Sequence, residues 1–386
     1  MKPRLCVFFP SIEPGGLERA VMRLCAALAD RGFDVEVAYV RSHTAGNDLW
    51  DPRVTLTRLS PFWPRARGRG ATALALLPGL AARWASRRPD CVLTVQSSLF
   101  CIPLAAAFGI PVIHRESSNS LEAMGRHGGV WKRGLVLWGK SVVYRACAFV
   151  VANSSGAADS ARALTGLSGA RVRTIPNAVD AEALHRAAAE PVDDGIAAAW
   201  LADPGLAVIA WVGRLSWEKD AATMLRAFAR MEEPSARLVL AGGGRDRAAL
   251  EDLAASLGVA ARVRFTGALA NPHALMARAR AYALTSLYEG LPNALLEAAA
   301  LGVPAVSTDC PTGPREILRD GAGGLLVPVG DDETLASALT FILRNRHAAQ
   351  ERAQCARDGM HRFHPATVGG QYARLILDAM RGIEFR

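Results

Sequence analysis

Residues 284–301 read LTSLYEGLPNALLEAAAL. A strand-like run, Ala281–Ser286, stops at a turn holding Gly290, Pro292 and Asn293, and an Ala- and Leu-rich helix with Pro292 at its first position is expected to follow. Glu289, Gly290 and Leu291 offer no Ser, Thr, Asp or Asn to cap that helix. Its first-turn amides, from Asn293 and Ala294 onward, are therefore expected to take an external anion, with the helix dipole behind them. Glu289 stands just before the helix. Glu297 lies inside it, about 7.5 Å along the axis from Pro292 at ~1.5 Å per residue.

A diphosphate fits at such a helix start, and each glutamate can accept hydroxyl hydrogen bonds at one end of the same ligand. That describes a nucleotide-sugar, with its sugar near Glu289 and its ribose near Glu297. An isolated glutamate pair is more often a loop charge and a solvated helix face, so the reading depends on what else the chain carries.

Two further stretches join it. Gly213-Arg214-Leu215, followed by Glu218-Lys219-Asp220, comes after the apolar run Ala207–Val212, and Gly15-Gly16-Leu17-Glu18 comes after the apolar run Leu5–Pro10. The motif E-G-L-P-N-A-L-L-E, with its glutamates eight apart, resembles the signature of the GT4 family of retaining glycosyltransferases. The other two stretches resemble that family's G-R-L-x-x-x-K-G/D element and its amino-terminal G-G-x-E loop. The resemblance runs from Leu5 to about Arg381.

It implies an α/β GT-B fold: two Rossmann-like domains with parallel sheets facing a central cleft. The expected division is an acceptor domain over 1–180, a linker over 181–204 and a donor domain over 205–365. A carboxyl-terminal helix over 366–386 crosses back to the first domain. It also implies a catalytic set of Arg214, Lys219, Glu289 and His114. The donor is held by Gly15, Gly16, Gly290, Leu291, Asn293, Ala294 and Glu297, and Gly267 lies beside the base. His114 belongs to this set because a histidine at the corresponding strand end contacts the transferred sugar in the family. Same-face attack, with a donor phosphate oxygen taking the acceptor proton, is the implied chemistry, so the paired-carboxylate logic of glycosidases does not apply.

Bulk properties agree with a two-domain enzyme. At 386 residues the chain exceeds what one core usually serves. Seven scattered cysteines, with no Cys-x-x-Cys among them, read as reduced core thiols. The start, MKPRLCVFFP, ends its short apolar run at Pro10 without a small-residue cleavage site, so no secretion signal is expected. The uncharged run Cys91–Ile113 is long enough to span a bilayer, but Gln96-Ser97-Ser98 and Gly109-Ile110-Pro111 break it into strand, helix and strand. No Asp-x-Asp occurs and no carboxylate cluster falls on a recognised site, so neither metal nor cofactor is expected. The glycine loop is not G-x-G-x-x-G, which argues against a dehydrogenase.

Charge is uneven. Residues 1–180 hold 23 Lys and Arg against 12 Asp and Glu, whereas 181–386 hold 22 against 24. Within the basic half, Met124–Cys147 combines Trp131, Trp138 and Tyr144 with Arg126, Lys132, Arg133, Lys140 and Arg145 at helical spacing. The spacing suits either an ordinary amphipathic domain helix or one lying on an anionic membrane surface, and the net charge favours the membrane, with no nucleic acid as partner and a cytoplasmic, peripheral location on the inner face of the cell membrane expected. The stretch CPTGPREIL, Cys310–Leu318, resembles GT4 members that add N-acetylgalactosamine or a related hexose to lipid-linked oligosaccharides. A UDP-sugar donor and a polyprenyl-diphosphate-linked glycan acceptor follow as expectations. The rival readings are a GT-B sugar-nucleotide epimerase and a non-catalytic nucleotide-sugar binding module.

Overall fold

The computed structural model describes residues 2–9, 11–12, 15–42, 50–59, 69–95, 99–116 and 130–382. The chain divides into two compact units, Met1–Ala178 with Pro365–Arg386, and Val179–His364. The start of the Met124–Cys147 stretch, residues 124–129, lies outside the described residues.

The first unit contains β1 (Arg4–Phe8), β2 (Ser11–Ile12), β3 (Asp34–Tyr39), β4 (Arg41–Ser42), β5 (Thr55–Arg58), β6 (Cys91–Val95), β7 (Val112–Glu116), β8 (Phe149–Ala152) and β9 (Val172–Thr174). Seven of these form a parallel sheet in the order β5-β3-β1-β6-β7-β8-β9, and β2 pairs with β4. Strands such as CVLTV and FVVA are apolar at nearly every position because helices cover both faces of the sheet. The uncharged run from Cys91 folds as β6, the helix Cys101–Ala107 and β7. Among the described residues, no helix is long and apolar enough to cross a membrane. The helix Pro365–Met380 belongs to this unit, where Val368, Tyr372 and Ile376 join Val21, Leu24 and Leu28 of the helix Gly16–Ala29 in one core.

The second unit is built on β10 (Ala207–Val212), β11 (Ala236–Ala241), β12 (Val263–Gly267), β13 (Ala281–Leu284), β14 (Ala305–Thr308) and β15 (Leu325–Val327). All are parallel, in the order β12-β11-β10-β13-β14-β15. In each sheet the chain winds outward in one direction and then the other. The switch points lie between β1 and β6 and between β10 and β13, and open α/β sheets bind ligands outside the carboxyl ends of the strands at such points. The loops that leave β1, β10 and β13 are the three that carry the motifs.

Two boundaries differ from expectation. Residues 181–204 are not an extended linker but two helices of the second unit, Ala181–Ala189 and Gly195–Ala202. Asp180 and Asp194 cap them by accepting from the Ala183 and Ala197 amides, both at 2.9 Å, and Leu184 and Ala197 are buried. The stretch expected as a linker is therefore a pair of capped helices. The helix after β13 begins at Asn293, with Pro292 one place earlier as its N-cap in an extended conformation.

Candidate active site

The loops that leave β10 and β13 are tied together before any ligand is considered. Leu287 N–H donates to the Glu218 carbonyl (2.9 Å), Thr285 Oγ1 donates to the Lys219 carbonyl (2.9 Å), and the buried Trp211 indole donates to Thr285 Oγ1 (3.0 Å). Across this join Lys219 Nζ meets Glu289 Oε1 at 2.5 Å, and Ser286 Oγ donates to the same oxygen at 2.7 Å. Two residues 70 positions apart in sequence are thus brought into one part-buried ion pair at the switch point. The helix Asn293–Ala300 starts three residues after Gly290, and its N-cap Pro292 makes no side-chain cap bond.

Arg214 stands on the same loop as Lys219 but is 77% exposed, and its nearest carboxylate is Glu218 at 3.5 Å. Burial works to raise the Glu218 carboxyl. The Ser216 hydroxyl, a backbone amide and the charges of Arg214 and Lys219 outweigh it and hold the group below its ordinary range. Glu218 therefore stays ionised and holds the loop rather than acting as an acid. Gly267 ends β12 at the same end of the sheet, and its carbonyl accepts from Gly242 N–H at 2.8 Å. A Cβ on Gly242 would stand 1.7 Å from the Gly213 carbonyl oxygen, so only glycine lets the β11 turn lie against the G-R-L loop.

Glu297 is 1% exposed, and its Oε2 lies 3.2 Å from Nε2 of His273, itself buried at the start of the helix Pro272–Arg278. His273 was not singled out in the sequence, because a lone histidine 24 residues upstream carries no pattern. Tyr282 on β13 is fully buried, and its hydroxyl has no hydrogen-bond partner among the described residues; burial first, then the Glu289 and Glu297 charges, push its pKa well up. The CPTGPREIL stretch contributes scaffold. Thr312 Oγ1 donates to the Glu289 carbonyl, and a Cβ on Gly313, whose φ is +91°, would stand 2.5 Å from the Gly290 carbonyl oxygen. Cys310 is an inert thiol, pushed up to about 12 by burial and then by Glu289.

In the first unit Gly15 is extended (φ 172°) and precedes the helix Gly16–Ala29, which no side chain caps. Any residue adopts that conformation, so the backbone itself does not require glycine there. Glu18 in the first turn is buried, and its Oε1 has no hydrogen-bond partner, so desolvation raises its pKa despite Arg19.

His114 departs from expectation. It is the third of five residues in β7 and fully buried, not a strand-end side chain open to a sugar. Its Nδ1 lies 2.7 Å from Thr94 Oγ1, its ring packs 4.7 Å from that of Tyr144, and Nε2 has no hydrogen-bond partner among the described residues. Nor do its neighbours pair with each other. Arg115 donates to Asn177 Oδ1 at 2.6 Å, while Glu116 accepts from the Tyr144 hydroxyl and faces Lys140 Nζ at 3.8 Å. Alternation along the strand sends 115 to the opposite face from 114 and 116.

Among the described residues no group of three or more His, Cys, Asp or Glu is placed to hold a metal ion.

Comparison with known proteins follows the same division. A model described as "Glycosyl transferase 4-like domain" matches residues 15–178, and one described as "Glycosyl transferases group 1" matches residues 194–361. The chain is 30% identical over 404 residues to a glycogen synthase of Mycobacterium tuberculosis, covering 97% of this chain and 94% of that protein. It is 29% identical over 174 residues to a Campylobacter jejuni α-1,4-N-acetyl-D-galactosaminyltransferase whose named substrate is an undecaprenol-linked glycan, covering 44% of this chain and 48% of that protein. The chain spans about half, or less, of the length of several curated relatives that it matches. Among solved structures, Anabaena HepE in complex with UDP and glucose superposes with a TM-score of 0.80 at 19% identity, covering 97% of this chain and 100% of that one. At that identity the likeness speaks for the fold alone.

Proposed function

The chain belongs to the GT4 family of glycosyltransferases, and we propose that it moves a hexose or N-acetylhexosamine, N-acetylgalactosamine favoured, from a UDP-sugar to a polyprenyl-diphosphate-linked glycan with retention at the anomeric carbon. The Lys219–Glu289 pair at the β10/β13 switch point, beside the start of the helix Asn293–Ala300, carries this reading. Lys219, Arg214 and the first-turn amides neutralise the leaving diphosphate, and Glu289, held by Ser286 and Lys219, accepts from the sugar hydroxyls. A donor phosphate oxygen takes the proton of the acceptor hydroxyl as that hydroxyl attacks from the face the diphosphate leaves. With two cations of the chain supplying charge, the reaction proceeds without a metal. Gly15 and Gly16 allow close approach to the donor phosphates, and Gly267 borders the base. The buried His114 has no part in the proposal.

Purified protein incubated with a panel of nucleotide-sugars and an undecaprenyl-diphosphate-linked glycan should yield an α-linked product at a rate unchanged by EDTA. Loss of the rate to EDTA with recovery in manganese would refute metal independence. Donor epimerised without transfer would make the chain an epimerase, and donor bound without turnover would make it a binding module.

Glu297, oriented by His273, is assigned the ribose hydroxyls. Because such a contact is equal in ground and transition states, Glu297→Gln should raise the donor KM and leave kcat near wild type. An unchanged KM with a lowered Tm would assign the carboxylate to packing alone.

The acceptor reading implies a membrane-facing surface in the first unit. On the helix Val130–Arg145, Trp138 is 66% exposed, and Val142, one turn on, is exposed on the same face. Lys140 does not join that face, since it turns to Glu116. Covering Trp138 contributes ~1.5–3 kcal/mol, so Trp138→Glu should weaken binding to anionic liposomes about tenfold or more in a sedimentation assay. Equal pelleting of variant and wild type, or none of either at low salt, would favour a soluble acceptor.

A further inference from the structure

At the amino-terminal edge of the second unit's sheet, where β10, β13 and β14 begin, lies a cavity of about 530 Å³. That is the opposite edge from the Lys219–Glu289 pair, across a six-residue strand of roughly 20 Å. Its size falls within the range of small-molecule sites. Trp200, Leu201, Leu206 and Ile342 supply apolar wall, and Arg278, Arg280 and Arg346 supply charge.

The charge is unbalanced. Arg278 is committed to the carbonyls of Ala188 (2.9 Å) and Ala274 (2.8 Å). The guanidinium groups of Arg280 and Arg346 have no hydrogen-bond or ion-pair partner among the described residues. Burial first, then the charge of Arg346, holds Arg280 below its ordinary value, so the two cations destabilise each other across the pocket. The one carboxylate in the lining, Asp203, accepts from Gly205 N–H at 2.8 Å. Three arginines against one aspartate leave a surplus of two positive charges among the arginine and carboxylate side chains of the lining. The helix Arg346–Asp358 begins in the same wall, and its N-cap Asn345 makes no side-chain cap bond.

We propose that this pocket binds a phosphomonoester dianion carried on a small ring compound, at a site separate from the candidate donor site of the same unit. The dianion matches the surplus charge, bridges Arg280 and Arg346, and meets the first turn of the helix Arg346–Asp358. The ring packs on Trp200 and the apolar wall.

Isothermal titration of the full chain with phenyl phosphate at pH 8 tests this. One site is expected, tighter than for inorganic phosphate. Affinity should fall roughly tenfold or more in Arg346→Gln and in Arg280→Gln, as expected for a lost charge-assisted bond. Lys219→Gln should bind as wild type does. Arg346 is exposed, so its variant decides the matter even if Arg280→Gln fails to fold. Absence of binding, or unchanged affinity in Arg346→Gln, overturns the site. Loss of binding in Lys219→Gln moves the probe to the donor site and overturns it equally. Inorganic phosphate binding as tightly as phenyl phosphate overturns the ring-bearing ligand.

Discussion

Lys219→Ala and Glu289→Ala are each expected to lower kcat by about 10²–10³-fold, the usual cost of removing one preorganised polar partner from a transition state. The two losses should not add. The residues share one ion pair at 2.5 Å, so removing either releases the other, and the double variant should be little worse than the poorer single. Glu289→Gln separates two roles of the carboxylate. It keeps an oxygen for the Ser286 hydroxyl and loses the charge facing Lys219. Its kcat should lie between wild type and Glu289→Ala. Circular dichroism checks that each variant keeps the fold, which the bonds from Leu287 N–H to the Glu218 carbonyl and from Thr285 Oγ1 to the Lys219 carbonyl should preserve. Near-normal turnover in either alanine variant would remove the pair from the active site, and fully additive losses would mean that the pairing is incidental.

That pair also marks how far the sequence could be read. That Glu289 and Lys219 each stand on a loop between strand and helix was legible, because an apolar run precedes each motif and a helical pattern follows it. Their direct contact was not legible. It depends on β10 and β13 being neighbours at the switch point, and sequence order hides this because β11 and β12 intervene. The parallel sheets were readable for a simpler reason: strands covered on both faces are continuous apolar runs bounded by Gly and Pro.

Position within such a strand is harder to read. His114 follows Pro-Val-Ile and precedes Arg-Glu, which suggested the last residue before a polar edge. In the structure β7 runs on through Glu116, and all five of its residues are buried. Arg115 and Glu116 tolerate this because Asn177 satisfies one, and Tyr144 and Lys140 the other; these partners lie 24 to 62 residues away. The Pro-Thr-Gly of residues 311–313 gave a different surprise. A stretch that pointed to an acceptor class braces the Glu289–Pro292 turn through Thr312 and Gly313, so its likeness to that subgroup has a structural component.

The burial of His114 leads to the second large effect, acid lability of the first unit. Desolvation lowers its pKa from 6.5 to about 4, with the Glu116 charge opposing and the Lys140 charge assisting. An unfolded chain takes up the proton near 6.5, whereas the folded chain resists it until pH approaches 4. Between these values the unfolded state binds more protons, so stability falls as pH falls. The stabilisation is fully present above 6.5, and the loss across the window is on the order of 3 kcal/mol at about 1.4 kcal/mol per pH unit. Hydrogen exchange of peptides spanning β6 to β8 across a urea series, at pH 7.5 and again at pH 4.5, reads this unit separately from the other. Wild type should lose far more stability between the two conditions than His114→Gln, which keeps a polar group near Thr94 but does not titrate there. Glu116 remains in both proteins, so its own titration cancels in the difference. Equal losses would mean that His114 takes up its proton in the folded state as readily as in the unfolded one, and the acid sensitivity would then belong to the Glu116–Tyr144–Lys140 cluster beside it.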